Sequence, residues 1–282
     1  MFDRMANGWE LAKASLRVLR VDKELLLFPL VSTICCLVVL GSFVVPLWNS
    51  PLVAAVVNDH QAPNNPVAYL ILFAFYFVNY FVIVFFNSAL VSCAIIRFKG
   101  GEPTLGDGFR AATNRLPQIL AWSLVSATVG VLLRAIESHA EKVGQIISAV
   151  LGGVWSIATY FVVPVLVVER VDPFTAVKRS LAVLRHTWGE ALTANFGIGF
   201  VTFIAMLLVG LVPLVAGGFA MAVNVPLGMV LIALGVAGLF AVALVSSTLD
   251  SILLAALYLY AAEGEVPAQF DKSLFEGAFA SK

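Results

Sequence analysis

The chemistry open to this sequence rests on a few polar residues set in apolar surroundings. Asp250 is the sharpest of them: it lies inside an apolar run from Pro226 to Ala261, with Ser246, Ser247, Thr248 and Ser251 beside it. A carboxylate in hydrocarbon costs free energy unless it is paired, so Asp250 is a candidate for an ion, proton or substrate site facing a bundle interior. Taking Tyr258 and Tyr260 as aromatics at the cytoplasmic interface, Asp250 lies about ten residues, or about 15 Å, further in. The competing reading puts it near the cytoplasmic surface, beside a Lys or Arg. Asn79, Asn87 and Asn195 are further pathway or substrate candidates, although such amides commonly make interhelical hydrogen bonds of about 1 kcal/mol, a packing role. The second set is basic and aromatic: Arg17, Arg20, Lys178, Arg179 and Arg185 with Trp9 and Phe174. Cations beside amphipathic aromatics suit anionic headgroups at a membrane surface.

Catalysis finds less support. His60, His139 and His186 are isolated, and the sequence holds no HExxH pair, Cys/His metal spacing, G-x-S-x-G elbow or P-loop. Cys35, Cys36 and Cys93 sit in apolar stretches and read as small buried hydrophobes. The expectation is a protein that is not an enzyme and needs neither cofactor nor metal.

The elements that must position these residues are membrane helices. Of 282 residues, 61% are hydrophobic and 12% charged, which excludes an ordinary soluble enzyme and a disordered chain. Lys plus Arg and Asp plus Glu both number 17, so no bulk field points to nucleic acid. Apolar runs at about Leu25–Leu47, Val67–Ile96, Gln118–Leu133, Val143–Val168, Ala191–Met221 and Pro226–Ala261 predict six spans, the third being the shortest. With six crossings, fifteen of the basic residues fall on one side and only Arg134 and Lys142 on the other. By the positive-inside rule both termini are cytoplasmic. Gly152, Gly153, Gly197, Gly199, Gly235 and Gly238 would allow close helix approach, and Pro164 and Pro213 should kink their spans.

The basic side also carries amphipathic segments. Met5, Trp9, Ala12, Leu16 and Leu19 share a face beside one bearing Glu10, Lys13, Arg17, Arg20 and Glu24, a helix suited to the headgroup layer. Phe174, Val177, Leu181 and Leu184 repeat that design after Asp172-Pro173, and a shorter copy runs from Asp107 to Leu116. Asn7-Gly8-Trp9, Asp107-Gly108-Phe109 and Asp172-Pro173-Phe174 align, and Ser15 to Arg20 falls on Ser180 to Arg185 without a gap. The fold class expected is an all-α polytopic bundle, one integral membrane domain. It comprises three units of elbow helix plus transmembrane hairpin, about 1–96, 97–168 and 169–261, with a tail over 262–282.

Four stretches carry a resemblance: Gly8-Trp9-Glu10-Leu11 through Leu26; Asn87-Ser88-Ala89-Leu90 through Ala112; Pro164 through Ser180 with Thr187-Trp188-Gly189-Glu190; and Ala256-Leu257-Tyr258 through Pro267. In these the chain resembles an uncharacterised prokaryotic six-span membrane-protein family, domain of unknown function 6159. The resemblance implies a bacterial or archaeal cytoplasmic-membrane protein and brings no known activity. The function expected is a lipid-binding, scaffolding or accessory role for the basic elbows, with anionic lipids as partners and a protein or a second copy of the chain as further candidates. The alternative is a small-molecule or ion transporter or channel with a pathway near Asp250.

Overall fold

The computed structural model describes residues 2–48, 66–139 and 141–270, and the side chains of 2–8, 138–139, 141–142 and 186–198 lie outside that description. His60, Lys272 and Lys282 are therefore outside it, as are the side chains of Arg4, His139, Lys142, His186 and Asn195 and the surroundings of Gly197. Helices follow one another as α1 (Phe2–Val21), a 3-10 turn (Lys23–Leu26), α2 (Leu27–Leu47), α3 (Pro66–Phe98), α4 (Leu105–Thr113), α5 (Leu116–His139) and α6 (Glu141–Ala158). Next come α7 (Val162–Glu169), α8 (Pro173–Ala205), a π-helical segment (Met206–Leu211), α9 (Val212–Met221) and α10 (Val225–Glu263). Six stretches are long and apolar enough to cross a membrane: Lys23–Leu47, Pro66–Phe98, Leu116–Glu137, Val143–Glu169, Gly199–Met221 and Val225–Glu263. These match the six expected spans, and the third reaches Glu137 rather than stopping at Leu133.

The chain divides into two compact units, Met1–Pro29 with Ala94–Pro103 and His186–Lys282, and Leu30–Cys93 with Thr104–Arg185. In the first unit α1 packs on α10. Leu11, Ala14, Ser15, Val18 and Leu19 recur every three or four residues and form its buried stripe. That face is occupied by protein, and Trp9, Lys13, Arg17 and Arg20 stay exposed. The π-helical segment and α9 form a tight hairpin with α10 built on glycines seven residues apart. A Cβ on Gly217 would lie 2.9 Å from the Gly228 carbonyl oxygen, and one on Gly235 would lie 2.9 Å from that of Gly210. In hydrocarbon, such backbone contact replaces the hydrophobic effect as the source of helix association.

Pro213 stands near the start of α9, straight after the π-helical segment. Proline lacks an N–H and its ring crowds the carbonyl four residues back, here Val209. The wider π turn absorbs that conflict. Gly238 then lets the Val209 carbonyl approach, since any Cβ there would sit 2.5 Å from its oxygen. Gly153 and Gly199 meet nothing within 4 Å and Gly152 only ordinary contact, so these three do not make the close approach expected of them.

In the second unit α5 and α6 form a hairpin, with Trp122 and Trp155 stacked at 5.7 Å and the Ser148 hydroxyl donating to the Leu133 carbonyl at 3.2 Å. Pro164 breaks the fourth span into α6 and α7. The Phe161 N–H, at the break, donates to the Ser180 hydroxyl oxygen at 3.0 Å, and both residues are fully buried. Ser180 thus satisfies a backbone donor that would otherwise be stranded.

The elbows depart from expectation in two ways. The segment from Pro173 continues through the start of the fifth span as one helix, α8, so it has no break separating elbow from span. The aligned tripeptides also occupy different helix positions. Asn7 lies inside α1, Asp107 is the third residue of α4 behind its N-cap Thr104, and Asp172 precedes α8 and accepts from the Phe174 and Thr175 N–H groups. Capping therefore pairs Thr104 with Asp172, three residues from the Asp107 alignment. In the Ser15–Ser180 register the exposures agree. Leu11 and Ala176, Ser15 and Ser180, Val18 and Val183, and Leu19 and Leu184 are all buried, while Lys13 and Lys178, and Arg20 and Arg185, are all exposed.

Both caps are pH-sensitive. Hydrogen bonds from the Thr104 side chain and backbone lower the pKa of Asp107 below its ordinary 3.8, and those from Thr175 do the same for Asp172. A depressed folded-state pKa means that the unfolded chain binds more protons, so stability rises with pH. The contribution is complete above the ordinary carboxylate value and declines as the pH falls through the lower folded values. Lowering the pH from about 5 to about 3 is thus expected to lower the thermal midpoint, and a D107N/D172N variant should show a shallower decline in the same scan. Equal slopes for the two proteins would count against the caps.

Candidate functional site

Three groups of residues are candidates, and the structure treats them differently. On α1, Trp9 is 46% exposed and carries Lys13 over its ring, with the ammonium 5.2 Å from the centroid. Lys13 also pairs with Glu10 at 2.8 Å. Arg17 and Arg20 are exposed and make no ion pair among the described residues. On α8, Phe174 is 72% exposed, and Lys178 and Arg185 are likewise free of ion pairs among the described residues. Arg179 differs from the other basic candidates, because its Nε donates to Glu169 Oε1 at 2.8 Å.

The helix ends beneath these elbows are tied together by charge. In the first unit the Arg97 guanidinium grips both oxygens of Asp22, joining the end of α3 to the start of the first span. Lys99 pairs with Glu263 at the end of α10 at 2.9 Å. In the second unit Arg115 Nε donates to the Val167 carbonyl at 2.9 Å, bringing the start of the third span to the end of the fourth. Sequence reasoning missed all three contacts. Their only signal was that each participant borders an apolar run.

The intramembrane candidates do not assemble. Asp250 is exposed and makes no ion pair or hydrogen bond among the described residues. It continues the exposed stripe of Phe240, Ala243 and Ser247 on α10. Its neighbours bond elsewhere: Thr248 to the Leu244 carbonyl at 2.8 Å, Ser251 to the Ser247 carbonyl at 3.0 Å, and Ser246 with Thr202 at 2.7 Å. No elbow Lys or Arg pairs with Asp250 among the described residues. Tyr258 is 1% exposed and packs in the core, so it does not mark an interface from which depth could be counted. Asn79 donates to the Phe75 carbonyl of its own helix at 2.9 Å rather than across helices. Asn87 is half-buried without a hydrogen bond among the described residues, and the Asn195 side chain lies outside them.

Cys93 is buried and approaches the Thr104 carbonyl at 3.5 Å, whereas Cys35 and Cys36 are half-exposed instead of buried. No group of three or more His, Cys, Asp or Glu that could hold a metal occurs among the described residues.

No curated protein matches the chain. The model of a family of unknown function, DUF6159, matches residues 66–268, which covers the second span through the sixth and leaves the Gly8–Leu26 stretch outside. The chain has six helices apolar and long enough to cross a membrane and, with a match over most of its length, belongs to that family of unknown function, DUF6159.

Proposed function

We propose that the protein is a non-enzymatic component of a prokaryotic cytoplasmic membrane whose elbow helices bind anionic lipid headgroups in a scaffolding or accessory role. The observation that carries this reading is the division of α1 and the start of α8 into a face buried in protein and a face exposing Trp9, Arg17 and Arg20 or Phe174, Lys178 and Arg185. An exposed aromatic beside unpaired cations suits the boundary between acyl chains and phosphates. The joined helix ends favour six crossings with both termini on one side, and the fifteen-to-two division of basic residues favours the cytoplasm. The transport alternative has in its favour an Asp250 that is unpaired among the described residues, but Asn79, Thr248 and Ser251 bond along their own helices and Ser246 bonds to Thr202.

Each Lys or Arg near an anionic surface contributes about 1 kcal/mol. Phosphatidylglycerol added to the full-length protein in detergent is therefore expected to raise the thermal midpoint more than phosphatidylcholine does. An R17Q/R20Q/K178Q/R185Q variant should lose most of that difference. Equal gains from the two lipids would sink the headgroup reading.

A further inference from the structure

Two arginines outside the elbow rows form a more specific feature. Arg115, at the start of the third span, is half-buried and commits one donor, Nε, to the Val167 carbonyl at 2.9 Å. Its Nη groups have no acceptor among the described residues. Three residues beyond Val167, at the same end of α7, Arg170 holds a left-handed backbone with φ of 57°, the sole non-glycine residue with positive φ among the described residues. Arg170 is exposed and makes no ion pair there. The two cations lie near enough to repel: burial first, and then the charge of Arg170, lowers the guanidinium pKa of Arg115.

The acids nearby are committed elsewhere. Glu169 is held by Arg179 at 2.8 Å, and Asp172 accepts from the Phe174 and Thr175 N–H groups at 3.0 and 3.1 Å. Like charges converge at one helix end with no carboxylate ion-paired to either arginine among the described residues, on a backbone that a side chain rarely adopts. An anion supplies what is missing, and guanidinium forks match phosphate oxygens in geometry. Phe174, four residues beyond Arg170, presents an exposed ring suited to an acyl chain.

We propose that Arg115 and Arg170 form a binding site for a phosphate group, that of an anionic phospholipid headgroup at the boundary of the third and fourth spans. The proposal deepens the headgroup reading and rests on it for the source of the phosphate. The two fail separately, because the elbow variant keeps both arginines.

The test uses the full chain in detergent with three probes: phosphatidic acid, diacylglycerol as its phosphate-free counterpart, and inorganic phosphate. Native mass spectrometry counts bound lipid, and the thermal midpoint reports stabilisation. Arg170→Gly is the informative variant, since glycine tolerates positive φ and the lipid-free protein should be at least as stable as before. Losing one charge-assisted fork is expected to weaken phosphatidic acid binding about tenfold. An Arg115→Lys variant keeps a charge but loses the fork, and should show weakened binding as well. The site is overturned if R170G binds phosphatidic acid as tightly as the parent, or if diacylglycerol binds equally well. Stabilisation by inorganic phosphate with none by phosphatidic acid would overturn the lipid source. Loss of binding in R170G with the elbow variant unaffected would keep the site and remove the elbow reading.

Discussion

Gly217→Ala is expected to lower the thermal midpoint by several degrees, while Gly218→Ala, one residue away, leaves it unchanged or slightly raised. A Cβ on Gly217 would meet the Gly228 carbonyl oxygen and the Ile232 amide nitrogen, both at 2.9 Å, and neither is the end of a flexible side chain. The methyl group therefore has to push α9 from α10 along their whole contact. Overpacking of this kind costs about 1–3 kcal/mol, which at this chain length corresponds to about 2–12 °C. Gly218 meets nothing within 4 Å, so alanine there adds only helix propensity, worth about 1 kcal/mol in favour. Gly228→Ala should resemble Gly217→Ala, because its Cβ would lie 2.8 Å from the Gly217 carbonyl oxygen and 2.7 Å from the Met221 nitrogen. Tryptophan-fluorescence melting of the purified variants measures all three. Similar midpoints for Gly217→Ala and Gly218→Ala would show that the hairpin is looser than this packing requires.

The contrast between adjacent glycines also marks the limit of what one sequence reveals. Gly235 and Gly238 could be named from composition, but their partners Gly210 and Val209, and the contact of Gly217 with Gly228, could not, because a glycine's neighbour across a hairpin depends on register. Spans were legible because hydrocarbon thickness imposes a length on every apolar run. The breaks at Pro164 and Pro213 were legible because proline's geometry is local. Their repair was not. Ser180 looked like one more residue of an amphipathic face, yet it satisfies Phe161 from nineteen positions away. The start of α4 was misplaced at Asp107 because Thr104 and Asp107 cap reciprocally, each accepting from the other's backbone, and only geometry distinguishes the cap from its third residue. Between Arg185 and Ala191 the sequence has no proline, and although Thr187, Gly189 and Glu190 are residue types that can end or cap a helix, α8 runs through the elbow that amphipathicity alone suggested. At the candidate sites the exposed residues were readable from their faces. The pairing of Arg97 with Asp22 had to be observed, because the two residues border different apolar runs.

Asp22→Asn is expected to destabilise the protein by about 2 kcal/mol, or about 4–8 °C in thermal midpoint. Arg97 Nε donates to Asp22 Oδ2 at 2.6 Å while a terminal nitrogen takes the other oxygen, and the side chains are only 21% and 11% exposed respectively. An asparagine keeps the shape and removes the charge, leaving the guanidinium partly desolvated beside a neutral amide. Stranding one member of a well-covered pair costs more than the pair itself contributes. Arg97→Gln should therefore cost a similar amount, and the D22N/R97Q double variant should be no worse than either single one. That non-additivity separates a true pair from two independent packing defects. Lys99 and Glu263 supply the internal contrast, being 49% and 30% exposed, so Glu263→Gln should cost at most about 1 kcal/mol and less in high salt. The difference follows from position. Asp22 ends the elbow α1 where the first span begins, and Arg97 ends the second span, so their fork closes a loop through two membrane crossings. Additive losses in the double variant, or equal costs at Asp22 and Glu263, would mean that the first two spans are held by apolar packing and that the charges are merely near one another.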